Sequence, residues 1–313
     1  VQCAEFIPTP MRKYALAEGV LIQSVAAMNS YLPSGAITQS DFPGLMVDRA
    51  AFDRALAAEA VRHGAELTTH TRLLGVDAAA RVARVADAHT HYEVSYRVLI
   101  AADGPHSPTA AHLGLPALDV VNTRQYTVPL LQRPYRDTDF WLSDEFPGGY
   151  AWLFPKGPLA NIGLGADTRL AGDMKQPLAR LHAALVERGV VGAEIIARTG
   201  GAIPVGGLRA RLVERDVLFV GDAAGLTHPI TGAGIAAAVV SGERAGVAAA
   251  AFIAGDVHAF SDFEEDVRDQ FEDSITRALA RRRELTGYWR TPAASSDRAM
   301  RRGWIAFPEY FAN

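Results

Sequence analysis

The 313-residue chain is 49% hydrophobic and 21% charged, the balance of an ordinary globular protein long enough to bury two joined cores. Its formal net charge of −4 leaves no basic footprint for nucleic acid, and one cysteine, Cys3, excludes an internal disulfide and a Cys-based metal cluster. No run nears the roughly 20 apolar residues of a membrane span, since the longest candidate, Ala245–Ala254, is short and Ala-rich, and the first residues lack the basic and apolar regions of a signal peptide. The expectation is a cytoplasmic protein.

The first predicted helix covers Asp48–Gly64, with Asp48 as N-cap, Phe52, Leu56 and Ala60 as an apolar stripe, and Gly64 as its end. Short β-type segments follow at Glu66–Leu74, around Ala80–His91 as a hairpin, and at Val94–Ala101. The stretch Arg97–Ser107 reads as a buried strand that ends in a turn carrying Asp103. Between Val120 and Ala202 aromatic residues rise, and Gln125–Leu131, Asp139–Leu142, Ala151–Phe154 and Asn161–Gly165 alternate in strand fashion, interrupted by a helix near Pro177–Arg188. Asp216–Gly255 reads as strand, loop and Ala-rich helix, and Asp262–Arg290 as a charged amphipathic helix. The pattern is α/β, with a β-rich segment at 119–205 separating residues 1–118 from 206–255, and a helical region at 256–313.

The string Val217–Ile235 is the most specific in the chain. Asp222 falls where its strand ends, placed to accept hydrogen bonds from a ligand hydroxyl. Gly232 and Gly234 allow close backbone approach, and the following helix presents its N-terminal N–H groups to the same place. A polyol joined to an electron-accepting ring satisfies all three features, and a flavin is such a molecule. The run Gly232-Ala-Gly-Ile-Ala-Ala237 also fits G-x-G-x-x-A, but that fingerprint needs its first glycine directly after a strand, so it is rejected here.

Tyr150, Trp152 and Phe154 alternate and therefore share one face of a strand, an apolar wall suited to an isoprenoid chain or, as is commoner on pattern alone, the core of a sheet. Lys156 beyond them is a candidate for a phosphate or diphosphate head group. The histidines form no metal-ligand pattern, and no metal site is expected. Arg281-Arg-Arg283 reads as a solvated helix face with Glu partners, ahead of a contact for an anionic membrane surface or a polyphosphate head group.

Five strings together resemble the geranylgeranyl reductase family of FAD-dependent oxidoreductases: Gln2-Cys-Ala-Glu5, Val47-Asp-Arg-Ala-Ala-Phe-Asp53, Asp103-Gly104, Gly149-Tyr-Ala-Trp-Leu-Phe-Pro-Lys156 with Asn161-Ile-Gly-Leu-Gly165, and Gly221-Asp222. The resemblance implies a split FAD-binding domain of the aromatic-hydroxylase and prenyl-reductase type, with an inserted antiparallel β-sheet substrate domain and C-terminal helices. It implies FAD contacts at Cys3, Ala4, Arg49, Leu73, Asp103, Gly221, Asp222, Pro229, Gly232, Gly234 and Ile235. Substrate contacts fall at Tyr150, Trp152, Phe154, Pro155, Lys156, Gly163 and Gly165, and Cys3 is the candidate catalytic residue. The implied activity is reduction of C=C bonds in a polyprenyl lipid or prenyl diphosphate, with NAD(P)H or another reductant as electron donor and peripheral contact with the inner membrane face.

A family member is expected to open with a strand and a G-x-G-x-x-G loop. These residues hold none and Val1 falls almost on the Cys motif, so the expectation is a sequence whose first part is missing. A flavin monooxygenase, which shares both flavin motifs, and a flavin-free lipid- or partner-binding remnant remain open.

Overall fold

The computed structural model describes residues 3–170, 173–289 and 291–312. Gln2 and Arg290, both named in the sequence reading, lie outside the described residues. The chain begins with β1 (Phe6–Pro8), β2 (Leu21–Tyr31), β3 (Ile37–Val47) and α1 (Arg49–Arg62), then β4 (Arg72–Asp77), β5 (Val82–Ala86), β6 (His91–Ser95), β7 (Leu99–Ala101) and α2 (Pro108–His112). It continues through β8 (Val120–Pro129), β9 (Thr138–Trp141), β10 (Ala151–Lys156), β11 (Leu159–Ala166), α3 (Lys175–Glu187), β12 (Ala197–Thr199) and β13 (Ala202–Pro204). It closes with β14 (Val213–Glu214), β15 (Val217–Phe219), α4 (Ile235–Ile253), α5 (Ala259–Tyr288), α6 (Asp297–Arg302) and α7 (Pro308–Phe311).

Two compact units divide the chain. The first holds residues 1–65, 121–202 and 281–313, on a nine-stranded sheet ordered β1-β3-β2-β9-β10-β11-β8-β12, with β13 also on β8. The sheet is larger than the antiparallel one expected for 119–205, because β1–β3 extend it, and it is mixed. β2 runs parallel to β9, a pairing that their long connection permits. One face buries Leu153, Ile162, Leu164 and Val128 beneath α3, whose Leu178 and Leu185 point into the sheet. In α1, Asp48 caps as expected, its Oδ1 accepting from the Ala51 N–H at 2.7 Å, an arrangement worth about 1 kcal/mol. Phe52 is buried, but Ala60 is exposed, so the apolar stripe is shorter than its spacing predicts.

The second unit holds residues 66–120 and 203–280. It contains the meander β4-β5-β6 and a three-stranded sheet ordered β14-β15-β7. Val217, Leu218 and Phe219 are fully buried there with Ala237, Ala245 and Ala248 of α4 and Phe263, Val267 and Ile275 of α5. The strand expected at Glu66–Leu74 begins only at Arg72, and Leu67 ahead of it is exposed.

Two expectations are corrected. By length and composition α4 is apolar enough to cross a membrane, with mean hydropathy 1.4 over a run longer than Ala245–Ala254; its Ala237, Ser241, Ala245 and Ala248 nevertheless pack into the unit, while Val247 and Ile253 are exposed. Of Arg281-Arg-Arg283 only Arg283 is exposed, while Arg281 and Arg282 are buried; the expected Glu partner is present, Arg281 Nη1 donating to Glu284 Oε1 at 2.5 Å. Arg281 Nε donates to the Tyr310 carbonyl at 2.9 Å and Arg282 Nη1 to the Gly148 carbonyl at 2.7 Å, satisfying backbone acceptors that water does not reach.

Candidate functional site

In the second unit, β15 lies parallel to β7 and pairs Val217 with Leu99 and Phe219 with Ala101. Asp103 and Asp222 therefore leave the same carboxyl edge of two adjacent parallel strands, where open α/β sheets bind ligands. Asp222 Oδ1 accepts from Thr227 Oγ1 at 2.5 Å. A Cβ on Gly234 would lie 2.7 Å from Thr227 Oγ1 and 3.1 Å from Asp222 Oδ1, so only glycine lets α4 start against this carboxylate. Gly234 caps α4 without a side-chain bond, and the first helical bond runs from the Ala238 N–H to the Gly234 carbonyl at 2.9 Å. The N–H groups of the opening turn, from Ile235 onward, thus point out of the helix with the positive end of its dipole.

The loop before α4 closes on itself. Gly232 N–H donates to the His228 carbonyl at 2.9 Å, and His228 N–H to the Ala233 carbonyl at 3.0 Å. His228 Nδ1 accepts from Thr231 N–H at 3.2 Å, and burial pushes the imidazole down to about 4, so the ring is neutral. Pro229 is buried within the same loop. The Gly221 N–H donates to Ser241 Oγ at 3.0 Å, pinning the strand end to α4. Asp103 Oδ2 accepts from the Thr109 N–H at 2.8 Å and so organises the start of α2. Leu73, half buried on β4, pairs with Val85. Arg209, absent from the sequence reading, links the two acidic motifs. Its Nε donates to the Ala223 carbonyl at 2.5 Å and its Nη1 to Pro116 at 2.7 Å, and Asp103 supplies an attractive charge.

In the first unit, the sheet face opposite α3 carries the aromatic string. One row across the strands reads Phe140, Trp152, Gly163, Gln125, and the next reads Phe154, Asn161, Thr127. Tyr150, Trp152 and Phe154 do share this face, and Phe140 joins them, with ring centroids 5.6 Å from Tyr150 and 5.4 Å from Phe154. Trp304 lies 4.8 Å from Tyr150 and 5.1 Å from Phe140. Trp152 and Phe154 are each 6% exposed, so the wall is closely covered. Gly163 leaves room for the indole: a Cβ there would sit 2.5 Å from Trp152 Cζ2. Gly165 lies farther along, where a Cβ would be 3.9 Å from Trp152 Cζ3. Pro155 stands just past the last β10 residue that pairs with β9, where its missing N–H costs nothing.

The polar end of this face departs from expectation. Lys156, a candidate for a phosphate, instead donates to Glu5 Oε1 at 2.9 Å and Oε2 at 2.8 Å. Asn161 Nδ2 donates to Glu5 Oε2 at 2.8 Å. Removing either member of such a covered ion pair costs about 3–5 kcal/mol, because the other charge is left uncompensated. Cys3 and Ala4 sit beside this cluster. Burial raises the Cys3 thiol above its ordinary range, against the pull of Arg49, whose Nη1 lies 3.6 Å from Sγ. Gln125 Nε2 donates to the Cys3 carbonyl at 2.9 Å, and Trp152 Nε1 to Gln125 Oε1 at 3.1 Å. Arg49 also forks onto Asp53, at 3.0 and 3.1 Å. Gln125, Asn161, Phe140 and Trp304 have no site role in the sequence analysis, although Asn161 opens one of the family strings. A polar residue at an inward strand position was the available signal for the first two.

A ribityl chain offers hydroxyls to a carboxylate, and a reduced isoalloxazine carries negative charge that a helix N-terminus stabilises. The donor set around Asp222 and Gly234 fits both demands, and the fold with this site defines an FAD-binding flavoprotein. Family models match at 119–203 for the geranylgeranyl reductase catalytic domain, 38–142 for an FAD binding domain, and 166–291 for lycopene cyclase protein. Digeranylgeranylglycerophospholipid reductase of Methanocaldococcus jannaschii is 31% identical over 292 residues, 87% of this chain and 71% of that protein. The Methanosarcina acetivorans enzyme of the same name is 35% identical over 225 residues, covering 68% of this chain and 55% of its own. The chain thus spans little more than half of the latter relative's length. A solved geranylgeranyl bacteriochlorophyll reductase-like protein from Thermoplasma acidophilum superposes with a TM-score of 0.83 and 25% identity, covering 99% of this chain and 87% of that one. A probable FAD-dependent monooxygenase from Pseudomonas aeruginosa shares the fold alone, at TM-score 0.69 and 17% identity. The chain belongs to the geranylgeranyl reductase family.

Proposed function

We propose that the whole protein is an FAD-dependent reductase of C=C bonds in a polyprenyl chain carried by a geranylgeranyl lipid or prenyl diphosphate. The observation that carries this reading is the aromatic face of Tyr150, Trp152, Phe154 and Phe140 within the segment matched by the reductase catalytic domain. In this reading residues 1–118 and 206–255 serve FAD, 119–205 serve substrate, and 256–313 complete the helical part. Asp222 and the opening turn of α4 hold the cofactor, with Asp103 and Arg209 organising the edge behind them.

When bound, FAD supplies the hydride, which no side chain of this protein can provide. An isolated alkene is a poor hydride acceptor, so the protein must align it and keep water out; the aromatic face supplies that apolar positioning. The second hydrogen must arrive as a proton. Cys3 Sγ is the candidate carrier, since Glu5 N–H at 3.1 Å and the Arg49 guanidinium are placed to stabilise the sulfur once the proton has left. NAD(P)H or another reductant restores the cofactor. The internal pairing of Lys156 with Glu5 argues that head-group phosphate is held elsewhere. Exposed Val247, Ile253 and Val257 offer apolar side chains for a peripheral contact with a membrane surface.

The test uses the full-length protein, reduced anaerobically and mixed with a geranylgeranyl lipid. Oxidised-flavin absorption should return without oxygen. Return only in air contradicts the reductase and favours a monooxygenase, and failure to bind flavin favours the remnant.

A further inference from the structure

Glu5 is 8% exposed and stands in the left-handed region, at φ +70. An L-residue is held there only when its surroundings over-determine it. Here they do. The carboxylate gathers donors from three elements: Lys156 Nζ of β10, Asn161 Nδ2 of β11, and the Arg49 N–H at the start of α1, at 3.0 Å from Oε1. The Glu5 carbonyl accepts from the Val47 N–H at 2.9 Å, and its own N–H points at Cys3 Sγ. Thus the residue that fixes the backbone of Arg49 also fixes one of the two donors facing the Cys3 sulfur.

A covered ion pair is a poor way to gain stability, since an apolar pair of equal volume serves as well. A use for this one is visible in its surroundings. The charged groups acting on Cys3 are Arg49 on α1 and Glu5 on its own segment; Arg49 is paired with Asp53, and Glu5 with Lys156 of β10, which itself lies 3.7 Å from Asp48. We propose that Glu5 and Lys156 are the positioning pair of the Cys3 segment: Glu5 clamps residues 3–5 between β10, β11 and α1, and Lys156 cancels the charge that Glu5 would otherwise hold beside the sulfur. Its catalytic use rests on the flavin-facing role given to Cys3 above, but the clamp is measurable without turnover. Arg49 then governs the sulfur while the Glu5 carboxylate, although it opposes thiolate formation, is neutralised.

The experiment follows alkylation of Cys3 by iodoacetamide across neutral to alkaline pH, in the full-length, flavin-loaded protein, with the modified peptide quantified by mass spectrometry. Glu5→Gln leaves Lys156 cationic and should lower the alkylation midpoint by about one pH unit, whereas Lys156→Met leaves Glu5 anionic and should raise it by about as much. Lys156→Arg should stay near wild type, and the double variant E5Q/K156M should return toward it. A purely structural role loosens the segment and moves both single variants the same way. Such parallel shifts, or unmoved midpoints in folded protein, overturn the proposal. Should Lys156→Met fail to fold, Glu5→Gln and Lys156→Arg decide it: an unmoved midpoint in the first, or one as displaced in the second, overturns it. Opposed shifts in a protein that reduces no prenyl lipid would leave the clamp standing and remove only the functional reading.

Discussion

Gly163→Ala adds a single methyl group, and the sheet gives it no room. The new Cβ would lie 2.5 and 2.6 Å from Trp152 Cζ2 and Cε2, and 2.7 Å from the Arg124 carbonyl oxygen. The indole could slide, but the carbonyl belongs to β8, whose Arg124 pairs with Leu164 in the β11 ladder. Relief therefore requires both a ring shift and a local opening of the sheet, an overpacking cost of about 1–3 kcal/mol. Sliding the ring also breaks the Trp152 Nε1 bond to Gln125 at 3.1 Å, a further loss of about 1 kcal/mol. At roughly 2–4 °C per kcal/mol for a unit of this size, the melting temperature should fall by ~4–16 °C. Melting curves and tryptophan fluorescence of wild type and variant make the measurement. Turnover of long prenyl substrates should fall as well, because the displaced indole is part of the aromatic face. A variant that melts within about 1 °C of wild type with unchanged indole emission would refute the close approach on which this reasoning rests.

Trp152→Ala should destabilise by about 3–5 kcal/mol, since the ring is 6% exposed, and should impair long prenyl chains more than short ones; an unchanged melt would mean that the ring borders open space. Asp222→Ala should weaken flavin retention by ~1.5–3 kcal/mol, about 10- to 150-fold, with the fold intact; equal flavin per chain in the purified variant would contradict its role. The unfolded chain binds a proton at His228 near pH 6.5 and the folded chain only near 4, so stability should fall as pH drops through that window, by up to about 3 kcal/mol. His228→Gln should flatten that part of the melting-temperature profile, and an equally steep profile in the variant would remove His228 as its cause.

What the sequence disclosed was local. The cap at Asp48, the buried strand before Asp222, the shared face of Tyr150, Trp152 and Phe154, and the long helix ending near Tyr288 all follow from period and end signals within a few residues. β2 and β3 escaped because their pairing is irregular, with register shifts at Leu21/Gln23 and Val25/Ala27, and because β3 holds Pro43 and Gly44, which read as breakers. The Lys156–Glu5 pair joins residues far apart in the chain, and no local pattern announces it. The burial of Arg281 and Arg282 is hidden for a related reason, since a charged helix face looks solvated until the carbonyls it meets are known. Arg209 had no motif around it, and only the parallel pairing of β7 with β15 brings the two acidic turns it serves together.

A reductase adds hydrogen, and nothing else, across a prenyl double bond, whereas a monooxygenase adds oxygen. The most direct measurement is the product mass when the full-length, reduced protein meets a geranylgeranyl lipid, with and without air. The product should gain two hydrogens for each reduced bond under both conditions. A product that gains oxygen, and forms only in air, would contradict the reductase reading.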